Sequence, residues 1–88
     1  MSNLAVRANE RVEGVYFNRD SIVVDLMDER TVSAPLAWFP KLLNATFQQR
    51  NHLKIADCGD GIHWPDIDED LSVAGLLRGS PAPNASIT

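Results

Sequence analysis

The chain has 88 residues, 44% of them hydrophobic and 23% charged, with 8 Lys+Arg against 12 Asp+Glu and a formal net charge of −4. That apolar content excludes a collagenous, low-complexity or wholly disordered chain. The length allows one domain, and no apolar run reaches the ~18–20 residues that span a bilayer. Residues 1–10 (MSNLAVRANE) are expected to be a flexible start, with no apolar stretch of the signal-peptide kind. The expected compartment is therefore the cytoplasm, and the single cysteine, Cys58, cannot form an intrachain disulfide. Val12 to Phe17 is rich in β-branched and aromatic types and reads as a strand. Asn18 to Ser21 is turn chemistry. Ile22, Val24 and Leu26 then alternate with Val23 and Asp25, a strand with one buried face. Asp28-Glu29-Arg30 makes a second tight turn before a third strand over Thr31 to Leu36, so the first half predicts an antiparallel meander.

Ala37 to Asn44 predicts a short helix carrying Pro40 in its first turn. Thr46-Phe47-Gln48-Gln49 fits a capping box at the start of another helical turn. Leu53 to Asp57 alternates as a fourth strand, Cys58-Gly59-Asp60-Gly61 turns, and Ile62-His63-Trp64 returns as a short hairpin partner. Asp66 to Leu71 reads as a polar connector. Ser72 can cap a final helix over Val73 to Arg78, which Gly79 ends. Residues 80–88 (SPAPNASIT) have no periodicity and are expected to be a disordered tail. The expected fold is α+β over residues 11–79: a small antiparallel sheet, with a three-stranded meander plus a second short hairpin, and short helices on one face.

The charge is uneven. Residues 1–56 hold seven bases and six acids, whereas residues 57–70 hold Asp57, Asp60, Asp66, Asp68, Glu69 and Asp70 with no base. A local field of that sign repels nucleic acid and suits a basic partner. Direct nucleic-acid or membrane binding is not expected.

No chemical motif survives its own test. His52, Cys58 and His63 do not have zinc-site spacing and number three where a closed site needs four. Asp66-x-Asp68-x-Asp70 resembles the start of a calcium loop, but Leu71 and Leu77 stand where such a loop needs Gly and Glu. Cys58 and His63 flank a turn and could face each other across it, yet the neighbouring Asp57 and Asp60 oppose thiolate formation. No catalytic residue, metal or cofactor is therefore assigned. Trp38 and Trp64 are core or boundary residues by default. An exposed Trp64 inside the acidic stretch would instead be a binding anchor.

The run Ala37 to Thr46, then Arg50, then Gly61 to Gly79 (GIHWPDIDEDLSVAGLLRG) resembles the bacterial domain of unknown function 2442 family. The resemblance implies a small α+β domain, found alone or fused to a helix-turn-helix domain, whose gene sits beside that of another small protein in a toxin–antitoxin-like arrangement. It implies no catalytic residues. The expectation is a non-enzymatic partner-binding module, antitoxin-like or regulatory. In it, Trp64, Asp66, Asp68, Glu69 and Asp70 would meet a small basic protein. The alternatives are a ligand- or metal-sensing domain centred on His63 and a homodimerising structural domain.

Overall fold

A computed structural model describes residues 9–81. The ends expected to be loose lie mostly outside this range, and the described part of each is anchored. Asn9 N–H donates to Asp28 Oδ2 (2.9 Å), Glu10 pairs with Arg30 (3.2 Å), and Ser80 N–H donates to the Gly75 carbonyl (2.9 Å).

The meander forms as expected, with β1 (Val12–Phe17), β2 (Ser21–Leu26) and β3 (Thr31–Pro35) in the order β1-β2-β3. The register between β1 and β2 shifts between Val12 and Gly14, so two residues of β1 oppose one of β2. This bulge at Glu13 puts Val12, Val15 and Phe17 on one face despite their odd spacing. At the β2–β3 turn Glu29 takes a left-handed φ of 74°. The Asp28 carboxylate holds the turn by accepting from Arg30 N–H (3.2 Å) and Arg30 Nε (2.9 Å). These bonds, with that from Asn9, hold the Asp28 carboxyl well below its ordinary value of 3.8, at about 2.

The predicted helix over 37–44 is in fact two pieces. A 3₁₀ turn covers Leu36–Trp38, and α1 covers Pro40–Leu43, with Phe39 between them at φ −130°, ψ 81°. The cause is Pro40, whose ring bars its predecessor from the helical region while suiting the first helical position itself. Helix α2 (Phe47–Asn51) carries the predicted capping box. Gln49 N–H donates to Thr46 Oγ1 (3.1 Å), and Thr46 N–H donates to Gln49 Oε1 (2.9 Å).

The second half differs from expectation in one element. Strands β4 (Lys54–Ala56) and β5 (Gly61–Trp64) pair as predicted, but Glu69–Ser72 is a strand, β6, and not a connector. The second sheet is therefore three-stranded, in the order β4-β5-β6. Glu-Asp-Leu-Ser has poor strand propensity, and only Leu71 faces inward with clear apolar character, so local sequence could not announce it. Ser72 N-caps α3 (Val73–Arg78) through a bond from Gly75 N–H (3.0 Å), and Gly79 closes the helix at φ 76°.

The core lies between the two sheets and the helices. Ile22, Val24 and Leu26 from β2 and Ile62 and Trp64 from β5 are essentially inaccessible, as are Leu36, Phe39 and Leu42 from the helical segment. One polar side chain ties these parts together. Arg50 Nε donates to the Leu42 carbonyl (2.9 Å), its Nη2 donates to the Leu43 carbonyl (3.0 Å), and its guanidinium lies 5.6 Å from the Phe17 ring centroid. The Arg50 carbonyl accepts from the buried Trp64 indole (2.9 Å), and Trp64 meets Phe17 edge-on at 6.4 Å.

Two stability predictions follow from these contacts. Arg50→Met keeps an apolar stem but loses the charge-assisted bonds to α1. It is expected to cost about 2 kcal/mol, read as a fall in Tm of about 10 °C by circular dichroism. Asp28 binds its proton more readily unfolded than folded. Its stabilisation is thus full above pH ~4 and is lost as pH falls towards 2. Asp28→Asn should lower Tm at pH 7 and leave it close to wild type near pH 2.

Candidate acidic interaction face

The ladder of the second sheet sorts its side chains. On the inner face stand Ile62 opposite Leu71, and Trp64 opposite Glu69. On the outer face Lys54, His63 and Asp70 form one cross-strand row, and Ala56, Gly61 and Ser72 form the next. His63 Nδ1 lies 2.7 Å from Asp70 Oδ1, a pair fixed by direct register. A second pair, His52 Nδ1 with Asp66 Oδ2 (2.9 Å), bridges the residue after α2 and the turn after β5.

Three successive residues with positive φ shape the turn before β5: Asp57 (53°), Cys58 (58°) and Gly59 (100°). A Cβ at Gly59 would lie 2.8 Å from Arg11 Cβ, so glycine is required there by both backbone angle and space. This contact seats the turn against the start of β1 and leaves Asp57, Cys58 and Asp60 exposed. The next turn, residues 65–68, is held by Lys41 of α1, whose Nζ donates to the Asp68 carbonyl (3.0 Å).

Placement of the predicted residues is mixed. Asp66, Asp68 and Asp70 are exposed, and Glu69 is half-buried at the start of β6. Trp64 is not a surface anchor. It is fully buried, because its position in β5 faces the core and its indole N–H is taken by Arg50. The exposed large apolar side chains lie elsewhere, with Phe47 at the start of α2 the most open at 81%. Sequence carried a weak signal for this, since the capping box fixes Phe47 as the first helical residue without saying which way it points. His63 is half-exposed and faces Asp70 and Lys54 rather than Cys58. The two histidines sit in separate pairs, and among the described residues no three His, Cys, Asp or Glu side chains are grouped to hold a metal ion.

The acidic stretch is little neutralised. Among the described residues none of the carboxylates between 57 and 70 makes an ion pair with a lysine or arginine. Among the described residues their ion-pair partners within 4 Å are His52, for Asp66, and His63, for Asp70. Among the described residues no helix is long and apolar enough to cross a membrane.

These features define a small α+β protein with two antiparallel sheets and an acidic outer surface. The model of the family described as protein of unknown function (DUF2442) matches residues 12–82, and the chain belongs to that family. A crystal structure of a protein of unknown function from Rhodospirillum rubrum is similar, with a TM-score of 0.71 and 29% identity over 84% of this chain and 92% of that one. The solution structure of an uncharacterized protein from Chromobacterium violaceum shares the fold, with a TM-score of 0.70 and 24% identity over 84% and 70% of the two chains. No curated protein matches the chain.

Gly59→Ala tests how the face is held. It should destabilise by about 2 kcal/mol or more, measured by urea unfolding, and should shift the amide resonances of Arg11 and Val12.

Proposed function

We propose that the chain is a non-enzymatic protein-binding module whose acidic face receives a small basic protein, in an antitoxin-like or regulatory role. One observation carries the reading: the carboxylates of residues 57–70 have no lysine or arginine ion-pair partner among the described residues. Charge left uncompensated steers an oppositely charged surface and speeds encounter. The two-gene arrangement implied for the family supplies the kind of partner. Binding would set a basic surface against Asp66, Asp68 and Asp70 and mask it. The setting is the cytoplasm, where the exposed Cys58 stays reduced.

The test uses the product of the adjacent gene, purified and titrated calorimetrically against the full chain. Binding should weaken steeply as salt rises from about 0.05 to 0.3 M. The triple variant Asp66→Asn, Asp68→Asn, Asp70→Asn should lose at least about tenfold in affinity while keeping a native circular dichroism spectrum. Asparagine is chosen at 68 because that residue has φ 52°. A folded triple variant that binds as well as wild type would refute the acidic face as the contact.

A further inference from the structure

The second sheet has one edge with a built-in groove. A hollow of about 220 Å³ runs between β6 and α3. All four residues of β6 line one side, Gly75, Leu76 and Arg78 of α3 line the other, and Phe39 contributes from below. Its apolar floor is Phe39, Leu71 and Leu76. The groove therefore lies along a strand edge that no other strand occupies in the order β4-β5-β6.

The edge's hydrogen-bonding state can be read from one contact. In an antiparallel pair, residues alternate between those that bond backbone to backbone and those that turn both groups outward. Asp70 N–H donates to the Glu69 side chain (3.1 Å) and so points away from β5. Ser72, two residues on, has the same orientation. The Asp70 carbonyl and the Ser72 N–H are thus directed to the open side. Side-chain alternation then fixes what an added strand would show. Its inward positions would meet Phe39, Leu71 and Leu76. Its outward positions would extend the Lys54–His63–Asp70 row and stand beside Asp70, whose side chain is 73% exposed and whose Oδ2 is not used by His63.

We propose that this edge accepts an extended segment of the partner protein as a fourth strand, with apolar residues alternating with basic ones. The inference rests on the acidic-face reading and specifies its mode: main-chain pairing along β6, an apolar side chain over Leu71, and a lysine or arginine beside Asp70. Charge decides the occupant, since the added outward residue lies next to Asp70 and the groove carries two acids, Glu69 and Asp70, against one base, Arg78, on the opposite wall.

The experiment titrates the full-length, nitrogen-15-labelled chain with a capped heptapeptide of alternating lysine and valine. A second peptide of the same sequence and charge is N-methylated at every backbone amide, so it cannot donate ladder bonds in either strand orientation. The lysine–valine peptide should bind at least about tenfold tighter than its N-methylated counterpart and slow exchange of the Ser72 amide. Asp70→Asn should weaken it by about threefold. Leu71→Ser, checked for folding by its amide spectrum, should weaken it as well. Equal binding of both peptides would overturn strand addition while leaving the acidic face intact. Failure of either peptide and of the basic partner to bind at low salt would overturn both readings. A concentration-dependent dimer that protects Ser72 without peptide would overturn the proposal in favour of a second copy. Binding seen only after truncation beyond Pro81 would overturn it in favour of the chain's own residues 82–88.

Discussion

The fold depends on the contact between Trp64 and Arg50. A chain with this little interior cannot bury a tryptophan indole without satisfying its N–H, and leaving that donor unpaired would cost a large share of the stability of a small domain. The partner is the Arg50 carbonyl at the end of α2, so the bond decides where that helix lies relative to β5. The side chain of the same residue then reaches the Leu42 and Leu43 carbonyls at the end of α1 and covers Phe17. Both helices are too short to be stable alone. They persist because the Arg50 side chain donates to the end of α1, the Trp64 indole donates to the end of α2, and Leu42 is buried. The two sheets contribute to one buried core, and the Phe17–Trp64 edge contact is one place where they meet.

What could be read in advance follows from how local each determinant is. The meander was legible because β2 alternates cleanly and its flanking turns carry Asn, Asp and Glu at the right spacing. The capping box of α2, the Ser72 cap and the closing glycine were legible because each is a short-range pattern with a hydrogen bond behind it. Strand β6 was not, since its pairing is enforced by β5 across the turn and not by its own residues. The break at Phe39 is a property of the following proline, visible in principle but obscured by the helical spacing of Phe39, Leu42 and Leu43. Trp64 illustrates the limit for site reading. Its neighbours in sequence are acidic, yet Trp64 stands on the inner face of β5, Asp66 and Asp68 lie in the turn that follows, and Asp70 takes the outer face of β6.

The two halves divide the work of a small domain. The first sheet is made rigid by its turn, where Asp28 gathers Asn9 and Arg30 and Arg30 reaches back to Glu10. Of its charges, Glu10, Asp28 and Arg30 are joined in ion pairs. The second sheet is shorter, is held by two histidine–carboxylate pairs and one lysine clasp, and leaves its acids facing water. Like charges crowded over fourteen residues destabilise a lone domain by mutual repulsion. A surface of that kind costs stability wherever it is not met by opposite charge, which is the physical ground for the proposed basic partner.

Edge strands sharpen that argument. A sheet edge that is open, flat and apolar invites pairing with any chain, and proteins blunt such edges with charge, shortness or a covering element. Strand β4 is blunted by length, with three residues and Lys54 at its start. Strand β6 is guarded differently: α3 stands beside it, and the Glu69 side chain occupies the Asp70 N–H. That guard is a single exposed side-chain bond, and the space between strand and helix is left as a groove with an apolar floor. On the proposed reading, a strand whose basic side chain draws that carboxylate away frees the Asp70 N–H for pairing, and Glu69 and Asp70 together favour a basic segment over an acidic one.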